Sequence, residues 1–138
     1  MEIERLLEED IIRDPESLGK LERKGDLLIC TETGAKHPII KNRPILRSDS
    51  GTVVDMEDHE SHPIPEKGVQ ILEETKGLVL HVSAGASTFK TENTIEMEWD
   101  IFKSTDVIGD SHKLPFANET FEYVMGNNIL EHYLAPET

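Results

Sequence analysis

The chain has 138 residues, enough for one ordinary domain, or for one small domain plus part of another. A hydrophobic fraction of 36%, with charged residues at 30%, suits a water-soluble globular protein, and no apolar run approaches the ~20 residues of a membrane helix. The formal net charge of −14 argues against general nucleic-acid binding, which relies on Lys and Arg to release counterions, and against anionic membranes.

The opening residues, MEIERLLEED, lack the basic-then-apolar order of a secretory signal, so a cytoplasmic location is expected. The single cysteine, Cys30, permits no internal disulfide and fits a reducing compartment. Residues 2–12 place Ile3, Leu6, Leu7 and Ile11 on one helical face, which predicts a short amphipathic helix. Asp14-Pro15 should end it, because a residue before proline is pushed out of helical geometry.

From 18 to 46 the pattern changes to short strands and turns. LLIC (27–30), HPII (37–40) and IL (45–46) read as strands, with a Thr-Gly turn and an Asn-Arg-Pro turn between them. Residues 48–66 are rich in Ser, Asp, Glu and Pro and read as a linker, with a short structured piece at TVVDM. His59 and His62 stand there among acidic residues, but the loose spacing points to solvated side chains rather than a metal site.

Residues 67–76 fit a short helix. LVLHV (78–82) follows as an unbroken apolar strand, the mark of a strand buried on both faces. TIEMEW (94–99), DVIGD (106–110) and FEYVMG (121–126) are further strands, and NILEHYL (128–134) reads as the start of a helix. Four such strands imply a mostly parallel sheet. The link from Trp99 to Asp106 is nevertheless shorter than the dozen residues of an ordinary parallel crossover. The expected fold class is thus α/β: a β-rich module at 1–47, a linker at 48–66 and a parallel-sheet domain at 67–138.

The run GDSHKLPFANETFEYVMGNNILEH, residues 109–132, resembles the class I S-adenosylmethionine-dependent methyltransferases, of the type 11-like group. That family shows a strand ending in GD, then LPF, a polar turn, F-[DE]-x-V, and LEH before a helix. Asp110, Leu114, Pro115, Phe116, Phe121, Glu122, Val124, Leu130, Glu131 and His132 fit that order. The resemblance implies a partial Rossmann-like sheet and S-adenosyl-L-methionine as cofactor. It also assigns roles. Asp110 would accept from the adenine amine, with the Ser111 backbone beside the ring. Asp110 also reads as an ordinary turn carboxylate.

In that family the first strand leads to an acidic residue and a G-x-G-x-G loop. Here His81 stands for the acid, and Ser83, Gly85 and Ser87 stand for the glycines, so one glycine is kept. The family's ribose-binding acid falls on Glu98, whose two carboxylate oxygens suit paired hydroxyls. Ile95 and Met97 alternate with Glu96 and Glu98, so an exposed acidic face is the rival reading for Glu98. No catalytic residue is assigned. Methyl transfer depends mainly on alignment, and the Glu131–His132 pair more often shapes the loop beside the cofactor.

The first half is similar to the zinc-ribbon family of small methyltransferase activator subunits. Asp14, Ser17, Cys30 and Thr33 occupy the positions of that family's four cysteines, followed by Gly34, His37, Pro38, Ile39, Pro44 and Leu46. Structural zinc takes four ligands, and Ser and Thr are poor ones, so the ribbon is expected without zinc and with packing in place of the metal. Cys30 is then a small buried strand residue.

These resemblances imply a methyltransferase-like protein, truncated or degenerate, with an unassigned acceptor. The alternative is a non-catalytic binding or activator module that docks on a partner methyltransferase. A sheet ending after four strands would also favour a homo-oligomer through its open edge.

Overall fold

The computed structural model describes residues 1–47, 52–58, 66–82 and 89–126. The chain is mixed α/β, with one antiparallel and one parallel four-stranded sheet. Helix α1 spans Ile3–Glu8, and the antiparallel sheet follows as β1 (Leu21–Lys24), β2 (Leu27–Cys30), β3 (Lys36–Ile40) and β4 (Arg43–Pro44). Helix α2 spans Glu66–Glu74 and leads to β5 (Val79–Val82), β6 (Thr94–Glu98), β7 (Val107–Ile108) and β8 (Tyr123–Gly126). Among the described residues no helix is long and apolar enough to cross a membrane.

Helix α1 is shorter than its apolar spacing predicts. Asp10 takes a left-handed φ of 54° and stops it before the proline does. Tertiary pairing explains this. Ile12 bridges Phe116 in antiparallel fashion, Arg13 N–H donates to the Pro115 carbonyl, and Ala117 N–H donates to the Ile11 carbonyl. Extended backbone at 11–13 thereby gains partners that a longer helix would forfeit.

The antiparallel sheet is a meander of tight turns. Gly25 has a φ of +61° in the two-residue β1–β2 turn, a conformation glycine adopts without strain. Lys41 and Asn42 are both left-handed, at 50° and 63°, so the β3–β4 turn falls at Lys-Asn and Arg43–Pro44 pair as strand. The turn expected at Asn-Arg-Pro therefore lies one residue earlier, and β1 is a strand beyond those the pattern predicts. Ile45 and Leu46 do not extend β4. Ile45 forms a parallel bridge to Ile108, and Leu46 N–H donates to the Ile108 carbonyl, so this pair covers the outer edge of β7.

The second sheet is wholly parallel, in the order β7-β6-β5-β8. Leu80 pairs with Ile95 and Val124, and His81 with Glu96 and Met125. One face thus carries Leu80, Ile95, Met97, Val107 and Val124. These pack in a single cluster with Leu6, Ile11, Ile12, Leu21, Leu28, Cys30 and Leu46 from the first 47 residues. On the other face Val79 and Met125 pack with Leu72 of α2.

The short β6–β7 link is possible because side chains satisfy its backbone. Arg43 donates to the carbonyls of Phe102, Lys103 and Thr105, Arg47 to that of Trp99, and Lys90 to that of Ser104. Residue 101 pairs on both sides with Val54 and Met56, which is all that becomes of the expected TVVDM piece. In an ordinary parallel crossover a helix would consume these groups internally.

A shared core predicts shared unfolding. Leu46 is fully buried where the two sheets meet. Leu46→Ala should cost about 2–5 kcal/mol. Urea unfolding followed by Trp99 emission and by far-ultraviolet circular dichroism should show one transition, shifted equally in both signals. A Trp99 transition unmoved by the substitution would mean that the halves unfold separately.

Candidate functional site

The chain builds the parallel sheet outward from β5 through β6 to β7, then crosses back to lay β8 on the other side of β5. At such a reversal the connections diverge, and a crevice opens beyond the carboxyl ends of the strands. A cleft of about 390 Å³ lies on the β5 side of that reversal, at the tips of β5, β6 and β7. Its walls include Val82 at the tip of β5, Glu98 and Trp99 after β6, and Gly109, Asp110 and Ser111 after β7.

Three of the residues singled out from sequence, Glu98, Asp110 and Ser111, therefore share one hollow. Glu98 is half-buried, and one of its oxygens accepts from the Trp99 N–H at 3.0 Å. Asp110 accepts from the backbone N–H of His112 at 2.8 Å, and its own carbonyl accepts from Lys113 N–H. The backbone bond from His112, more than the partial burial that opposes it, holds the Asp110 carboxyl below its usual range. Asp110 is thus a turn carboxylate and a cleft wall at once. Gly109 is needed for space, because a Cβ there would stand 2.7 Å from Met97 Sδ.

His81 lies apart from the cleft. It is fully buried on the α2 face of the sheet, paired in register with Glu96. Among the described residues neither ring nitrogen has a hydrogen-bond partner. Burial alone lowers its pKa from 6.5 to about 4, so the imidazole is neutral at pH 7. The acidic face of β6 is likewise not open to solvent, for Glu96 is fully buried although Glu98 is not. Ser83, Gly85, Ser87, His59, His62, Glu131, His132 and the 128–134 segment lie outside the described residues.

Two residues that the sequence reading passed over also shape the site. Trp99, the one tryptophan of the chain, lines the cleft and is 40% exposed. Its place directly after Glu98 was the available signal. Asp106 is buried at the start of β7. It accepts from Glu96 N–H, Lys90 Nζ and the Met1 ammonium, and its N–H donates to the Glu96 carbonyl. That network pins β7 beside β6, and hence Asp110 beside Glu98.

The four ribbon positions also converge. Asp14 Oδ2 accepts from Ser17 Oγ at 3.0 Å and from Ser17 N–H at 2.8 Å, and Ser17 Oγ lies 3.5 Å from Cys30 Sγ. Burial pushes the Cys30 thiol up, but hydrogen bonds from Thr33, Ser17 and the backbone outweigh it and leave it below its ordinary value. His37 Nε2 lies 2.6 Å from Asp14 Oδ1. Burial raises the Asp14 carboxyl too, and the Ser17 and His37 bonds together bring it below the usual range. Among the described residues no group of three or more His, Cys, Asp or Glu side chains is arranged to hold a metal.

A larger hollow, about 840 Å³, opens beside Asp14 and His37. Size alone does not make it the site, because Asp14 and His37 are paired with each other there and Ser17 with Asp14. The strand-tip cleft instead gathers carboxylates and an indole at the tips of β6 and β7, beside β5. No family model, curated protein or solved structure matches the chain.

His81 makes a pH prediction. Its folded pKa is depressed, so below 6.5 the unfolded chain takes up a proton that the folded chain refuses until about pH 4. Its contribution is present in full above pH 6.5 and is lost as pH falls through that window, by about 3 kcal/mol in all. Urea midpoints measured from pH 4 to 7 should fall steeply for the native chain. The slope should be much shallower for His81→Leu, and equal slopes would refute the assignment.

Proposed function

We propose that the chain is an S-adenosylmethionine-dependent methyltransferase-like protein that binds its cofactor in the cleft at the tips of β5, β6 and β7. The observation that carries this reading is the parallel order β7-β6-β5-β8, with Glu98 and Asp110 on adjoining strand tips in one cleft that reaches β5. Open α/β sheets bind ligands outside the carboxyl ends of their strands, and the β5 tip that the cleft reaches borders the point between β5 and β8 where the strand order reverses. In this reading Glu98 accepts from the ribose hydroxyls, Asp110 from the adenine amine, and the Ser111 backbone lies beside the ring. By the family resemblance Ser83, Gly85 and Ser87 would meet the methionine end, whereas His81 is sealed in the sheet. The methyl acceptor is left unassigned.

In the same reading the antiparallel module is a ribbon whose zinc has been replaced by hydrogen bonds. Sulfurs around a tetrahedral zinc stand about 3.8 Å apart, from Zn–S bonds near 2.3 Å. The 3.0 and 3.5 Å spacings of Asp14, Ser17 and Cys30 are of that order.

A second reading, a non-catalytic module docking on a partner methyltransferase, is favoured by His81. A neutral imidazole sealed in the sheet offers no negative charge to the cofactor's ammonium where the family has an acid.

Titration with S-adenosylhomocysteine separates the two. Calorimetry should give micromolar binding, and the emission of Trp99 should change on saturation. Glu98→Ala and Asp110→Ala should each weaken binding about 10- to 100-fold, the worth of a hydrogen bond to a charged group. Absence of binding at high micromolar ligand would reject the cofactor reading and favour the second.

The ribbon reading has its own test. The triple variant Asp14→Cys, Ser17→Cys, Thr33→Cys, together with native Cys30, should bind one zinc ion per chain and gain thermal stability from it. A cobalt-substituted sample should show tetrahedral thiolate absorption. Failure to bind either metal would remove the ribbon relationship and leave the cofactor proposal standing.

A further inference from the structure

We propose that Arg47, a residue of the antiparallel module's tail, is a positioning residue for the cleft, fixing the Trp99 indole as the wall on which the base of a nucleoside ligand stacks. The ligand in this inference rests on the cofactor reading above, whereas the positioning rests on the Arg47 contacts alone.

One guanidinium holds Trp99 in three ways. Its carbon lies over the indole, 4.4 Å from the ring centroid. Its Nη1 donates to the Trp99 carbonyl at 3.1 Å. The same nitrogen lies 3.6 Å from the Asp100 carboxylate, which in turn accepts from Val54 N–H at 3.0 Å. Ring, backbone and following residue are thus tied to a side chain that is itself only 1% exposed.

Trp99 needs such a hold. It follows the last residue of β6, is 40% exposed, and stands in a link that has no helix to stiffen it. A free indole would lose side-chain freedom whenever a ligand stacked on it, and that loss weakens binding. An indole already fixed avoids it. Arginine suits the task better than lysine. Its planar, weakly hydrated cation stacks on an aromatic face while its fork donates sideways to a carbonyl. The antiparallel module thereby reaches the cleft through one side chain, without lining it.

The test compares native chain, Arg47→Lys and Arg47→Met. Without ligand, both variants should show Trp99 more open to acrylamide quenching and shifted in emission maximum. With S-adenosylhomocysteine and with adenosine, calorimetry at a temperature where all three are folded should show about tenfold weaker binding in both variants. In a Trp99→Ala background, Arg47→Met should cause little further loss, because the two residues act as a unit. A purely structural Arg47 would lower thermal stability and leave folded-state affinity and quenching unchanged, which would overturn the proposal. So would additive losses in the double variant. If the native chain binds neither ligand, the cofactor reading fails and the base is withdrawn from this inference. The quenching result then decides the positioning by itself.

Discussion

A parallel sheet is stable only when both of its faces are covered, because the βαβ pattern that builds it leaves apolar side chains pointing both ways. Here one face carries Val79 and Met125 against α2, and the other carries Leu80, Ile95, Met97, Val107 and Val124. The antiparallel module covers that second face, contributing Leu6, Ile12, Leu28 and Leu46 to a single cluster. Ile45 and Leu46 also pair along β7, which would otherwise be an open edge. The module does the work that crossover helices do in an ordinary sheet of this kind.

That substitution explains several features together. Without a crossover helix, most of the carbonyls after β6 look outside the link for partners, and Arg43, Arg47 and Lys90 supply several of them. The module's own loops are tied by side-chain hydrogen bonds. Asp14, Ser17, Cys30 and Thr33 are joined by hydrogen bonds, and Cys30 belongs to the shared core. Each half supplies what the other lacks.

The cleft inherits its shape from this arrangement. Glu98, Asp110 and Ser111 meet because Asp106 pins β7 to β6, and Trp99 lines the same cleft with Arg47 against its ring. His81 is a cost within the same sheet. A buried imidazole whose nitrogens find no partner among the described residues destabilises the fold, and its lowered pKa adds a further cost only as the pH falls below 6.5.

Local sequence determined most of the elements. The unbroken apolar run at 78–82 and the alternation at 94–99 fix strands and their approximate ends through side-chain periodicity alone, and the pattern of 18–46 gives β2 and β3 but neither β1 nor β4. A family resemblance, rather than local pattern, pointed to Glu98, Asp110 and Ser111, which the fold brings to one cleft. Three things were decided only in three dimensions. Helix α1 stops at Glu8 because Ile11 and Ile12 find partners at 115–117, far along the chain. Glu96 and His81 are sealed inside because α2 and its neighbours close that face, which no alternation of polar and apolar residues announces. Arg43 and Arg47 look like ordinary surface charges in sequence. Their role follows from long-range contacts with the 99–105 link, and periodicity carries no information about partners fifty residues away.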